Sequence, residues 1–528
     1  RFGRLMARPS DMREYQADVV VVGGGGSGLA AAAEAAKLGG KVIVLEKAPV
    51  LGGTTALAVG SIMSSGTDQQ RRMKVLDTPE EHAADLEKIA RDLKVEDDKV
   101  LRDLLTQNVG ETVAFLGSIG VQFIGPMEQP PHRHPRLHQI VPSARGYIHL
   151  LERRCRKLGA EIHTGVRVSG LILDGQSVTG AEAEDKSGGR VRFLGKNGVI
   201  LASGDVSANQ SLMRDYVGPD LDSFAPFNPQ CTGDGQTMAL AVGAELVPRR
   251  DYGAEGLVQM RFAPPAGVNW IQKLPPSAFL SRVLKLALRV LPGAVLRPFL
   301  MKFLTTALGP DRRVFEQGAI LVNRDGRRFA DELYSGGLHD VGEYQRPSQG
   351  EASAPPPNLA IADQPRGEAY IIFDQSFARK FRRWPYFIST APGIAYAYLD
   401  DYRKSRADLF FSGQTLEELA SVSGLGLPGL SETIEVVNRS RLDSAKRIAE
   451  APFYALGPLN AWIFTAQVGI NVNAKLQALD AAGQAIPGLY AAGSAGVGGF
   501  CSTGHGHSLA WAFTSGRLAG RNAMASDG

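Results

Sequence analysis

Residues 18–60, DVVVVGGGGSGLAAAAEAAKLGGKVIVLEKAPVLGGTTALAVG, constrain the fold more than any other stretch of this 528-residue chain. Asp18 to Val22 is a short apolar, β-branched run, as a strand buried on both faces requires. Gly23, Gly25 and Gly28 then supply G-x-G-x-x-G. The first glycine permits the tight turn, the second lets backbone approach a pyrophosphate, and the third allows close helix–strand packing. The alanine-rich segment from Leu29 to Leu38 favours helix, and its start presents free N–H groups and a positive dipole end. Lys41 to Leu45 reads as a second strand. Glu46 follows it, where a carboxylate can accept both hydrogen bonds of a ribose diol. An isolated glycine fingerprint is weak evidence. The strand–turn–helix–strand–acid order turns it into a dinucleotide site.

The rest of the chain separates a flavin from a nicotinamide. Pro49-Val50-Leu51-Gly52-Gly53-Thr54-Thr55 adds a second flexible, hydroxyl-bearing loop, and a flavin needs more cradle than a nicotinamide does. Two later segments repeat the strand-then-glycine form, at 198–204 and 487–493. A glycine-rich run and a helix expected over 507–524 follow the second.

With these motifs the chain resembles the FAD-dependent fumarate reductase and 3-ketosteroid dehydrogenase superfamily. The matching segments are the first βαβ unit, the GGTT loop, VILASGD, TGDGQTMALAVGAEL (232–246), GAILVNRDGRRFADE (318–332), IPGLYAAG (486–493) and GHSLAWAFTSGRLAGRNA (506–523). They span nearly the whole chain. The expected fold is α/β: a discontinuous Rossmann-like FAD-binding domain (17–250 and 452–528) with an inserted α+β capping domain (251–451). Substrate is expected between the two. Cofactor contacts are expected from Gly23, Gly25, Gly26, Ser27, Gly28, Glu46, Lys47, Gly52, Gly53, Thr54, Thr55, Ala58, Gly60, Val166, Ala202, Ser203, Gly204, Asp234, Gly493, Ser494, Ser508 and Leu509. Gly506-His507-Ser508-Leu509, at a helix start, is placed to face the N1/O2 edge of the flavin. No histidine lies between Glu46 and Ser65, so the FAD is expected to be non-covalent. C-x-x-C-H is absent, which argues against haem.

The net charge of +4 is too small for a chain of this length to indicate nucleic acid, and no RNA- or DNA-binding signature is present. Three widely spaced cysteines argue against a disulfide scaffold, a zinc site or an iron–sulfur cluster. With no secretory pattern in residues 1–17, a cytoplasmic setting is the expectation. From 256 to 310 there are seven Lys or Arg and no Asp or Glu. Arg282, Lys285 and Arg289 share one helical face there, and Pro292 and Pro298 exclude a spanning helix. Peripheral membrane contact through 275–308 and a buried helix pair with its cations in water are the two readings.

The catalytic sets of the relatives are missing. Four residues after Glu332, where fumarate reductases carry an arginine and ketosteroid 1-dehydrogenases a tyrosine, stands Gly336. The carboxylate-binding His and Arg positions of fumarate reductases fall on Gly499 and Thr503, and the ketone-polarising tyrosine position falls on Cys501. Fumarate and succinate are therefore disfavoured, because a dicarboxylate needs charged clamps. The catalytic candidates are Tyr334, His505 and His507. His339-Asp340 and Tyr454 are weaker. The 130–138 stretch, PPHRHPRLH, invites a metal reading, but no Cys, Asp or Glu group accompanies it, so an exposed loop and no metal site are expected.

The expected activity is dehydrogenation, or the reverse reduction, of the C–C bond next to a ketone in an apolar cyclic substrate. The electron acceptor is not identified. A reductase of α,β-unsaturated carboxylates is the first alternative and calls for a pocket cation such as Arg261 or Arg313. An amine or amino-acid oxidase and a non-enzymatic electron carrier are the others.

Overall fold

A computed structural model describes residues 13–185, 188–264, 279, 282–286, 301, 305, 308–333, 356–391 and 395–525. Tyr334, His339, Asp340 and most of 275–308 lie outside the described residues.

The four valines of Val19–Val22 are buried on both faces, as their sequence requires. They sit inside a six-stranded sheet ordered Gln477–Leu479, Ala485–Ala491, Val199–Leu201, Val19–Val22, Val42–Glu46, Glu161–Thr164. All neighbours are parallel except the first pair. The polypeptide thus contributes the sheet centre from its beginning and one edge from its end. The helix Gly26–Lys37 packs on this sheet beside the C-terminal helix His507–Ala525. Only glycine fits the crossing. A Cβ on Gly516 would stand 2.3 Å from the Ser27 carbonyl oxygen, and one on Gly520 2.2 Å from that of Ala31. Arg517 ties the same helices together, bonding Glu34 on one side and Glu111 of Lys99–Ser118 on the other.

A second sheet, ordered Arg13–Ala17, Arg190–Gly195, Ser177–Glu184, Arg167–Asp174, flanks the first. Its outer strand leads from the cofactor region, since Val166 N–H bonds the Glu46 carbonyl.

The cap is built on Phe453–Ile463. This strand pairs with Ala369–Phe373, Val258–Phe262, Phe410–Gly413 and Ala225–Pro226. Ile320–Asn323 closes the sheet beyond Ala369–Phe373. Met260, Phe262, Phe373, Tyr402, Leu456 and Leu459 form its core. Phe453–Ile463 follows the boundary expected at 452 and pairs with strands on both sides of the expected division, Ala225–Pro226 and Val258–Phe262 among them. Among the described residues, no helix is long and apolar enough to cross a membrane.

Candidate functional site

The glycine turn works by close approach. Gly23, at φ +113°, leaves no room for a side chain: a Cβ would lie 2.3 Å from the Ala202 carbonyl oxygen. A Cβ on Gly28 would stand 1.9 Å from the Gly23 carbonyl oxygen. Gly25 differs, since its nearest neighbour would be the Gly52 oxygen at 3.9 Å. That open side faces a cavity lined by Gly23, Gly25, Gly26, Ser27, Glu46, Lys47, Gly53, Thr54, Thr55, Val166, Ala202, Ser203, Gly204, Asp234 and Ser494. Most of the expected cofactor residues thus converge on one concave surface. No side chain caps the helix Gly26–Lys37, which leaves N–H groups of its first turn for an anion. Ser203 Oγ is buried there without a partner.

Glu46 sits at the end of its strand, with Oε2 accepting from Gly24 N–H at 2.7 Å and Oε1 from Ala48 N–H at 2.8 Å. It shapes the glycine loop as well as offering lone pairs to a ribose. Lys47 and Asp234 form an ion pair at 2.8 Å across the cavity wall, with Thr232 Oγ1 2.6 Å from the same ammonium. The lysine is the main attraction holding the Asp234 carboxyl below its ordinary value, against the opposing effect of burial. The donor set, the bare helix start and the Gly25 cradle fit a dinucleotide of FAD type. Replacing Glu46 with glutamine leaves one acceptor oxygen for the two N–H groups of Gly24 and Ala48 and sets an NH2 donor against the other. FAD affinity is expected to fall by about 1.5–3 kcal/mol, or about 10- to 100-fold, as read by titration of the apoprotein.

The other expected cofactor residues lie outside this lining. Gly28 packs helix against strand. Gly60 accepts from Tyr147 Oη at 2.8 Å, and Ala58 ends the short helix Gly53–Leu57. Gly52 N–H bonds the Gly24 carbonyl. Gly493 receives Trp511 Nε1 at its carbonyl, 3.1 Å away. Ser508 is exposed, with Leu509 beside it at the start of the last helix. Residues that the sequence reading missed also line the cradle: Asn228, Gln230 and Cys231. Asn228 Nδ2 donates to Thr54 Oγ1 at 2.8 Å. They lie in irregular chain ahead of TGDG, where no periodic signal marks them.

Where cap meets FAD domain, Arg261 projects from Val258–Phe262. Its guanidinium donates to the Met260 carbonyl and to Gln259 Oε1, while Nε is buried without a partner. The group lies over the Phe464 ring, 5.3 Å from its centroid, and Phe464 stacks on Phe227 at 4.4 Å. Burial lowers the Arg261 pKa to about 10. His505 lies within reach of that charge. Burial first, then Arg261, bring its pKa down to about 4, and its Nδ1 has no partner. Arg313 instead packs over Phe387 and beside Asp311, so it does not join Arg261. Tyr454 donates to Gln375 and stacks on Phe373, which makes it a residue of the cap core. Near the loop 499–503, Tyr252 Oη bonds Thr503 Oγ1 at 2.8 Å and Cys501 Sγ at 3.2 Å.

His507 does not stand in an open loop. Its ring is fully buried against His82 and His132. The 130–138 stretch is likewise no exposed loop: Arg136 and His138 are completely buried. Arg136 binds both oxygens of Asp77 and one of Asp85, and that pairing pulls the segment inward. Asp77, Glu81 and His134 bring ligand-type atoms within 4.8 Å of one another. Both Asp77 oxygens are engaged by Arg136 and His134 pairs with Glu81, so an ion-pair network accounts for them.

His138 donates from Nδ1 to the Arg136 carbonyl and meets Thr67 Oγ1 through Nε2. Burial lowers its pKa to about 4. His82, His132, His505 and His507 are all lowered as well, chiefly by burial. Each is neutral in the folded state and protonates near 6.5 when unfolded. Their stabilisation is complete above about pH 6.5 and is lost as pH falls toward 4. His138 alone accounts for about 3 kcal/mol. Denaturation midpoints are expected to drop steeply between about pH 6.5 and 4.5, and a flat profile there would contradict these burials.

A cavity of about 800 Å³ opens beside the cradle and shares Val168 and Asp234 with it. Several of its polar groups are already spent: Asn209 on Thr232 and Leu212, Ser207 on Asp205, Asp222 on Arg214. It offers little chemistry of its own.

Comparison with known proteins agrees with this geometry. The chain is 26% identical over 505 residues to the probable fumarate reductase Ifc3 of Shewanella frigidimarina, covering 93% of this chain and 71% of that one. The open conformation of a flavocytochrome c3 fumarate reductase superposes with a TM-score of 0.70 at 24% identity, over 97% of this chain and 78% of that one. The 3-ketosteroid Δ1-dehydrogenase of Sterolibacterium denitrificans, solved with 1,4-androstadiene-3,17-dione, gives 0.63 at 17% identity, over 97% of this chain and 100% of that one. The model of the FAD binding domain family FAD_binding_2 matches residues 18–254 and 291–508. The chain belongs to this family of flavin-dependent oxidoreductases acting on C–C double bonds, and its cofactor is FAD.

Proposed function

We propose that this protein reduces the C=C bond of an α,β-unsaturated carboxylate bearing one carboxyl group on an apolar, ring-bearing body. Arg261 carries the reading. The Arg261 guanidinium is partly buried, with Nε fully so, and its hydrogen bonds among the described residues go to a carbonyl and an amide; such a partly desolvated cation is stabilised when an anion meets it. A single carboxylate supplies that anion, and Phe227 and Phe464 give an apolar body a surface beside it. The first alternative named from the sequence thus gains support over the ketone.

Bound FAD supplies hydride exchange with carbon. The residues of the chain do the rest. Arg261 binds the carboxylate and draws electron density toward it, which makes the far carbon of the double bond electron-poor. Phe227 and Phe464 exclude water. His505, with Nδ1 unpartnered, holds or moves a proton at that atom. The FAD is inferred to be non-covalent, and acid precipitation should leave a yellow supernatant.

One observation favours the cyclic ketone as a second reading. Gly499, Cys501 and Thr503 carry no charge, and Tyr252 brings a neutral hydroxyl to two of them. Reduced enzyme, reoxidised by panels of arylacrylic acids, cyclic enones and imines, separates the readings. Reoxidation by the acids is expected. Reoxidation by cyclic enones alone would establish the ketone, and by imines alone an amine oxidase.

A further inference from the structure

Behind the loop that carries His505 stand three buried histidines that the chemistry above leaves idle. His82 comes from Pro79–Leu93, His132 from the segment before Leu137–Val141, and His507 from the start of His507–Ala525. Their ring centroids lie 5.1 Å (His132 to His507), 5.8 Å (His82 to His507) and 6.0 Å (His82 to His132) apart.

The hydrogen bonds fix one of the tautomers. His132 Nδ1 faces both a donor, Arg136 Nη1 at 3.1 Å, and an acceptor, Asp85 Oδ2 at 3.8 Å, so it serves either form. The Thr503 carbonyl can only accept, so His507 donates from Nδ1 at 2.9 Å and its Nε2 is a bare lone pair. That atom is buried without a partner, and so is Nε2 of His82. Folded proteins rarely leave two such atoms unpaired in one cluster. Among the described residues, His82 Nδ1 meets the Ser65 hydroxyl, at 3.3 Å, which serves either tautomer.

We propose that His82, His132 and His507 form a proton store, which loads one proton at His507 Nε2 when negative charge is added beyond the N-terminal end of the His507–Ala525 helix. It rests on FAD occupying the cradle and not on the choice between acid and ketone. Reduction of a C=C bond consumes two electrons and two protons. One proton travels with the electron pair as hydride, and the other has to come from the protein. The store holds that second proton, taken from water as FAD is reduced, and releases it as the new C–H bond forms.

The surrounding charges leave the store poised. Arg136 and Arg133 are matched by Asp77 and Asp85. Glu81 pairs with His134 further out. His505, on the far side, is uncharged near neutrality. Burial, then the neighbouring His132, keep His507 neutral while no added charge is present. By Coulomb's law, a unit anion at about 6 Å in an effective dielectric of about 20 would raise the proton affinity of a base about a hundredfold.

The test counts protons. FAD-loaded protein is reduced electrochemically in weakly buffered solution containing an indicator dye, at a pH just below the ordinary histidine value of about 6.5. Two protons per electron pair are expected for the wild type and one for His507→Gln. His82→Gln, which does not line the cradle, should move the uptake of the second proton to a different pH without changing FAD content. Equal counts and an unmoved pH in both variants would overturn the store. Loss of FAD in His507→Gln leaves the His82→Gln result to decide. A merely structural histidine cluster would change stability and not the proton count.

Discussion

Gly28→Ala is expected to strip the protein of FAD. The new methyl carbon would lie 1.9 Å from the Gly23 carbonyl oxygen, a backbone atom that cannot rotate away. Helix and strand must separate, at about 3 kcal/mol or more. The same shift moves the helix start that faces the phosphates. FAD retention should fall at least about a hundredfold, read as visible absorbance per mole of purified protein. Gly117→Ala is the control. It lies in the helix Lys99–Ser118, its added methyl meets nothing within 4 Å, and it should be neutral or stabilising by about 0.5–1 kcal/mol. Full flavin content in Gly28→Ala would mean that the turn does not hold the cofactor as described.

Arg261→Leu separates binding from stability. Carboxylate held by a desolvated guanidinium is worth about 3–4 kcal/mol, so kcat/KM for an unsaturated acid should fall about 100- to 1000-fold. Stability should move the other way. Leucine removes a partly buried charge that, among the described residues, bonds a carbonyl and an amide, and replacing such a group by an apolar one is neutral or stabilising. A higher melting temperature with a lost activity is the expected pair. A lower melting temperature with unchanged kcat/KM would make Arg261 a structural residue and remove the carboxylate reading.

The parts of this molecule that were legible in the sequence are those governed by short-range rules. Val19–Val22, the glycine turn, Glu46 and the last helix follow from local patterns that admit few solutions. Phe453–Ile463 shows no sign in the sequence of the strands it pairs with. Its role comes from partners as distant as Val258–Phe262, which only the fold supplies. His507 and the 130–138 stretch were misjudged for a related reason. A histidine in a glycine-rich segment looks open to ligand until His82, far earlier in the chain, fills the space against it. Arg136 looks solvated until both oxygens of Asp77 close on it. Burial of polar groups by remote ion partners leaves no periodicity to read.

The glycine crossing of the first and last helices also sets an order of events during synthesis. The opening strand and helix emerge from the ribosome early, yet the surface they bury is completed by Ala485–Ala491 and by Gly516 and Gly520. Until Ala485–Ala491 and the helix after it are made, one edge of the central strands lacks its neighbour and the Ala31 face lacks its lid. For the several hundred residues of synthesis in between, an unpaired strand edge stays exposed, the condition under which chaperones engage. Truncations that remove the last turns of the final helix should for that reason yield aggregates rather than a shortened enzyme.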